Sequence, residues 1–297
     1  MKHFHKNIVG NKNSKYNSDT KRNNTVQDKK DRIKQISSAQ LHYVRSKRKE
    51  HFIIVSAQLL ILAAFLFLWE MASARNYIDS FFFSSPSLVV KNTIRMLTDG
   101  TLWIHTRITL LEVLVSFTLV TLFSVFSALL FWYYVRLAKI TEPFLVVLNS
   151  LPKSALAPLL IVWLGTGSKT IIVAGMSVAI FGSIMNLYAG FNSLDEEMSK
   201  LIFTLGGTRK HVMTKIILPA SLPILINNMK VNIGLSLVGV VIGEFLAARK
   251  GLGYLIIYGT QVFKLDMVIT SIILLCLIAG ILYFLTAQLE KKIRLTK

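Results

Sequence analysis

The feature that most constrains this sequence is a set of long stretches free of Asp, Glu, Lys and Arg. Phe52–Trp69, Val113–Val135, Ile171–Leu194 and Met267–Leu289 contain none of these residues. Pro143–Ser168 and Ile216–Gly243 each contain a single one, Lys153 and Lys230 respectively. A bilayer core is about 30 Å thick and takes roughly 20 apolar residues of helix to cross. A soluble core helix rarely runs so far without a charge. These runs predict an all-α, polytopic membrane protein with about six transmembrane helices.

Charge sharpens the picture. Lys and Arg number 34 against 15 Asp and Glu, a net charge of +19, although charged residues are only 16% of the chain. Basic residues therefore cluster between the apolar runs. Nucleic acid and an anionic membrane face are the two partners that suit such a balance. The apolar runs decide for membrane lipid, and no nucleic-acid partner is expected. Residues 1–51 hold 14 of the Lys and Arg, so the excess of cytoplasmic Lys and Arg predicts both termini in the cytoplasm. The one cysteine, Cys276, excludes an internal disulfide and a several-cysteine metal site. It is expected to be a small buried apolar residue.

Residues 1–50 are rich in Lys, Asn, Ser and Asp, which predicts a basic, mostly disordered cytoplasmic tail. Residues 51–100 form the next unit, a first span and an external interfacial segment. Phe81-Phe82-Phe83 and Pro86 precede a helix expected over Ser87–Leu97, lying at the membrane interface. Ala72-Ser73-Ala74 resembles a signal-peptidase site, but 51 residues precede the apolar run, unlike a short signal-peptide start.

Catalytic signatures are missing: there is no H-E-x-x-H, cysteine cluster or G-x-S-x-G, and no enzyme activity or metal site is expected. Gly165-Thr166-Gly167-Ser168-Lys169-Thr170 looks faintly like a phosphate loop, yet it lacks the Gly before Lys and the earlier Gly. A tight turn is the expectation there.

The stretch between the fourth and fifth spans is the most informative. It begins with Asp195, Glu196 and Glu197, acidic residues suited to a helix N-terminus. Gly206-Gly207 should break that helix. Arg209 and Lys210 open a second short helix leading to Pro219.

An acidic helix, Leu205-Gly206, then Ile217-Leu218-Pro219 resembles the cytoplasmic coupling loop of ABC importer permeases. The closer resemblance is to permeases of the nitrate, sulfonate and taurine group. It is carried in order by Leu151-Pro152-Lys153-Ser154-Ala155-Leu156-Ala157-Pro158, Val162-Trp163-Leu164-Gly165-Thr166-Gly167, Leu218-Pro219-Ala220-Ser221-Leu222-Pro223, Gly239-Val240-Val241-Ile242-Gly243-Glu244-Phe245 and Gly251-Leu252-Gly253-Tyr254-Leu255-Ile256. The resemblance implies a type I importer transmembrane domain over 101–290 with a coupling helix at about 195–211. Partners it implies are an ATP-binding-cassette ATPase, an extracytoplasmic substrate-binding protein and a second copy of the chain. No cofactor is expected in the chain itself; ATP would be used by the partner. Lys200-Leu201-Ile202 stands where the family has Glu-Ala-Ala, so a carboxylate contact from position 200 is not available. Glu196, Glu197, Arg209 and Lys210 remain as docking charges.

A lysine at mid-membrane costs on the order of 2.5–3.5 kcal/mol, so it is expected to face a cavity or a partner. Lys153 beside Pro152 has two readings, the translocation path or a structural contact with a carbonyl. Asn228, Asn232 and Ser236 share a helix face near Lys230 and suit a pore lining or helix packing. Glu244 at the span end reads as a gate or an interfacial carboxylate. The Lys pair leans the solute towards sulfonate- or nitrate-like anions, with vitamin precursors also in range. The rival reading is an ion-coupled secondary carrier, which would show internal repeats or mid-span carboxylates.

Overall fold

The computed structural model describes Tyr43, Ser46, Lys47, Lys49, Glu50, residues 52–194 and residues 196–295. The predicted basic tail thus lies almost wholly outside the described residues. The chain divides into two compact units, residues 1–69 and residues 70–297. Helix α1 (Phe52–Ala74) begins in the first unit, crosses the boundary at residue 69 and ends at Ala74, the last residue of the Ala72-Ser73-Ala74 site. Its large apolar side chains are exposed, from Phe52 to Leu68.

The second unit opens with a helical turn α2 (Ser80–Phe83) and helix α3 (Pro86–Thr98). α3 starts where Ser85 Oγ accepts from Leu88 N–H and Pro86 occupies the first turn, a position needing no N–H donor. It buries Val89 and Met96. Thr93 and Asn92 reach Thr270 of the last helix, α13 (Leu265–Leu295), at 3.1 and 3.5 Å.

Three long helices make the centre: α4 (Thr101–Tyr133), α7 (Ser168–Asn192) and α11 (Leu222–Ala247). α4 begins well before the expected Val113 because Glu112 does not end the span; it is buried inside it. On α7 the buried residues Ile171, Gly175, Ala179, Ser183, Leu187 and Phe191 recur every fourth position, a ridge that winds slowly round the helix. Small residues let the backbones approach, as membrane helices without a hydrophobic drive between them require. A Cβ on Gly239 of α11 would lie 2.8 Å from the Gly175 Cα of α7. One on Gly175 would meet Ser116 Oγ of α4 at 2.7 Å.

The expected third span is not one helix. α5 (Val135–Ser150) and α6 (Lys153–Leu164) meet at 97°. Pro152 provides no N–H to continue the ladder and forces its predecessor away from helix, so Leu151 is extended at ψ 136°. Five described helices are long and apolar enough to cross a bilayer, or six if this bent pair counts as one span.

Cys276 corrects another expectation: it is exposed on α13, not buried. The reason is general. In a membrane the lipid-facing and protein-facing sides of a helix are both apolar, so hydropathy does not tell them apart.

Candidate functional site

The chemistry-bearing residues collect at two opposite ends of the α4–α7–α11 bundle. At one end, α7 passes into helix α8 (Glu196–Thr204), a turn, helix α9 (Arg209–Val212), a π-helical turn Met213–Ile217 and the short α10 (Leu218–Ala220). The expected coupling helix at 195–211 is therefore two helices with a break. Gly206 has φ 79°, the left-handed region, and Gly207 packs so closely that a Cβ would lie 2.3 Å from Ile202 Cγ2. Thr208 and His211 close the start of α9 through Nδ1, at 3.1 Å from Thr208 N and 2.9 Å from its Oγ1. The π turn precedes Pro219, whose missing N–H a widened turn accommodates.

The segment is anchored on one side and open on the other. Val212 and Ile217 are buried with Leu187 and Phe191 of α7 and Ala128 of α4, and Ile202 packs against them. Met198, Leu201, Phe203 and Leu205 are exposed, Leu205 at 78%. Glu197, Lys200 and Lys210 are exposed on the same segment. Arg209 is committed within the chain. Its Nη2 donates to the Trp132 carbonyl at 2.7 Å, and the guanidinium lies over the Trp132 and Tyr133 rings at 5.2 and 5.9 Å. It is a clasp between α9 and the end of α4 rather than a free docking charge.

At the far end of the bundle, Glu244 is 1% exposed, not interfacial as one sequence reading had it. Its Oε1 accepts from Thr109 Oγ1 at 2.6 Å and its Oε2 from Gly253 N–H at 2.5 Å. Thr109 Oγ1 in turn accepts from Leu252 N–H at 2.8 Å. His105 Nδ1 lies 2.9 Å from Gly251 N. These three side chains cap helix α12 (Leu252–Gln261), whose first N–H groups have no partner within the helix. The Gly251-Leu252-Gly253 spacing now has a cause: a Cβ on Gly251 or Gly253 would meet the Glu244 carboxylate at 2.4 or 2.8 Å. Glu112 lies beside Glu244 and Ser168. It is 4% exposed, and neither carboxylate oxygen has a hydrogen-bond partner among the described residues. Nothing in the sequence pattern singled out Thr109 or His105, which precede the charge-free run from Val113, and Glu112 stood out only as a carboxylate near a span end. The expected turn is confined to Gly165–Gly167, with φ 77° at Gly165 and 127° at Gly167, and Ser168–Thr170 already open α7.

The polar residues between the two ends separate into different roles. Asn228 and Asn232 are buried, and both donate to Ser183 Oγ of α7, at 2.6 and 2.9 Å. Asn186 donates to Asn228 Oδ1 at 3.0 Å. Ser236 continues the buried face and its Oγ has no partner among the described residues. Lys230 is on another side of α11, ion-paired to Glu290 of α13. Lys153 follows the Pro152 break, donates to the carbonyls of Leu148 and Asn149 at the end of α5, and lies 5.6 Å from the Phe181 ring centroid. Positive charge at a helix C-terminus is favourable.

Comparison with known proteins points one way. Residues 120–295 match the family described as "Binding-protein-dependent transport system inner membrane component". The chain is 30% identical to a probable ABC transporter permease protein of Haemophilus influenzae, over 76% of this chain and 91% of that one. It is 24% identical to the taurine transport system permease protein TauC of Escherichia coli, over 78% of this chain and 86% of that one. Among solved structures, an inward-facing conformation of the MetNI methionine ABC transporter aligns at TM-score 0.56 and 18% identity, covering 66% of this chain and 95% of that one. At that identity the likeness speaks for the fold alone.

Proposed function

Since this chain belongs to the family of binding-protein-dependent transport system inner membrane components, as the permease subunit of an ABC importer, we propose that a separate ATP-binding-cassette ATPase drives it through α8 and α9. The observation that carries this is the exposed apolar surface of α8 and the residue after it on a firmly rooted segment. Met198, Leu201, Phe203 and Leu205 face away from the protein, while Val212 and Ile217 lock the same segment into the bundle. An exposed apolar patch rimmed by Glu197, Lys200 and Lys210 suits a protein partner. Motion of that partner would reach the spans through Arg209 and the π turn.

In this reading ATP is bound and hydrolysed by the partner, and no catalytic step occurs in this chain. α8 faces the cytoplasm, which puts the end of α13, and so the C-terminus, on the cytoplasmic side as well. The N-terminal tail shares that side through its positive charge. The opposite end, around Glu244 and the α11–α12 turn, faces the substrate-binding protein. A second copy of the chain completes the pathway, and lipid covers the remaining apolar surface.

The solute is small. An anionic preference rested on Lys153 and Lys230; Lys230 is ion-paired to Glu290 and Lys153 donates to carbonyls at the end of α5, so neither is held ready for an anion. Asn228 and Asn232 are spent on the α7 seam and Ser236 is buried on the same face; they would line a path only in a state where α7 and α11 part.

The test is reconstitution in proteoliposomes with the partner ATPase and binding protein. Uptake should require ATP hydrolysis, and Leu205→Glu should abolish it while the permease still inserts. Uptake driven by an ion gradient without the ATPase would establish the secondary-carrier reading instead. A maleimide test locates α8: Leu205→Cys in a Cys276→Ser background should label only from the cytoplasmic side.

A further inference from the structure

A cavity of about 490 Å³ opens between α4, the α6–α7 turn and the α11–α12 turn. Glu112, Thr166, Ser168, Ala248, Arg249 and Lys250 are among the residues that line it. It lies at the end of the bundle away from α8. From Glu112 to Trp132 is 20 residues of α4 (132 − 112), roughly 30 Å at the helical rise.

Two facts about Glu112 matter. Its carboxylate is buried, neither oxygen is in a well-formed hydrogen bond among the described residues, and its polar neighbours are the Ser168 hydroxyl and the Glu244 carboxyl. Its neighbour Glu244 is the reverse, with both oxygens accepting. A buried ionised carboxylate without donors is costly, and two side by side do not both stay charged unaided. The pair therefore either shares one proton or meets a cation. The groups of charge around it are Glu244, His105, Arg249 and Lys250.

We infer that this cavity is a subsite for an organic cation, an ammonium or amidinium group carried by the solute, seated on Glu112. The inference rests on the importer reading and adds a substrate class to it. The volume favours an organic group: one water occupies about 30 Å³, whereas pockets for organic ligands run from about 300 to 1,000 Å³. Arg249 and Lys250 are exposed at the rim and repel an inorganic and an organic cation alike, so volume and not rim charge sets the class. A nitrogen cation borne on a larger body gains the apolar wall of Ile108 and Ile171 as well. On binding, the cation takes the place of the proton shared by the carboxylates, so binding releases a proton and tightens as pH rises.

The test uses the full chain in lipid nanodiscs, without the ATPase, and benzamidinium as the probe, with sodium and benzoate as controls. Benzamidinium should raise the melting temperature in a saturable way, more at pH 8 than at pH 6. Glu112→Gln should weaken this by about tenfold, the scale of one lost charge-assisted contact. Ala248→Leu, which fills the cavity and leaves the carboxylates in place, should weaken it too. A sodium response equal to that of benzamidinium, or a Glu112→Gln protein that binds like the parent, overturns the inference. So does a melting loss in Lys250→Gln that disappears when Glu112→Gln is added, since Lys250 itself would then be the cation. Failure of ATP-coupled uptake would sink the importer reading and leave this binding result standing.

Discussion

Arg209 at the start of α9 donates to the Trp132 carbonyl near the end of α4 and covers the Trp132 ring, so the segment next to α8 is fastened to a helix that runs the length of the bundle. The contact is worth on the order of 1–2 kcal/mol, from a charge-assisted hydrogen bond and a cation–π contact. Arg209→Gln should keep ATPase binding but lower uptake per ATP hydrolysed several-fold, measured in proteoliposomes. Lys210→Gln, on an exposed neighbour without that contact, should change the ratio less. Equal effects from the two would mean that charge, not the clasp, is what counts.

The two glycines after α8 should respond differently to alanine. Gly206 has φ 79° with open space around it, a conformational cost of about 1–2 kcal/mol. Gly207 has room for no Cβ, because the Ile202 carbonyl would lie 2.7 Å away. Gly207→Ala should therefore weaken capture by the ATPase subunit more than Gly206→Ala does. A pull-down from detergent solution reads the order directly.

Along α11 the prediction concerns helix packing. Gly239→Ala would drive a methyl group against the Gly175 Cα and the Ala174 carbonyl, at 2.8 and 2.9 Å. Overpacking of this kind costs typically 1–3 kcal/mol. Gly234→Ala meets nothing within 4 Å and should leave the melting temperature in detergent unchanged. A stable Gly239→Ala protein would mean that α7 and α11 are less closely apposed.

The Lys230–Glu290 pair ties α11 to α13, with side chains 16% and 20% exposed. Removing either partner alone leaves a half-buried charge and should destabilise by about 1–3 kcal/mol. The double change Lys230→Met with Glu290→Met should recover most of the loss, because apolar replacements need no partner in this setting. Thermal unfolding of the single and double variants makes the comparison.

Much of the α8–α9 segment was legible in the sequence for local reasons. Acidic residues at the start of α8, glycines at its break and Pro219 beyond it act through backbone geometry within a few residues. The break at Pro152 was half legible. Proline announces a disturbance, but whether the chain kinks or turns through 97° depends on what packs around it. Lys153 was open between path and carbonyl contact because that choice depends on where the α5 carbonyls end up after the turn.

By itself the sequence determined that this chain crosses a membrane as helices and carries a structured segment between its fourth and fifth apolar runs. Long charge-free runs allow few other outcomes in water or lipid, and turn chemistry is local. Only the tertiary structure decided which polar residues meet. Thr109 lies 135 residues from Glu244, and Glu112 was one carboxylate at the edge of an apolar run. Apolar surface suits lipid and protein neighbours alike, so hydropathy carries no record of which helix faces which. The close passage of α7 past α11 at Gly175 and Gly239, and the contacts it allows, supply that information.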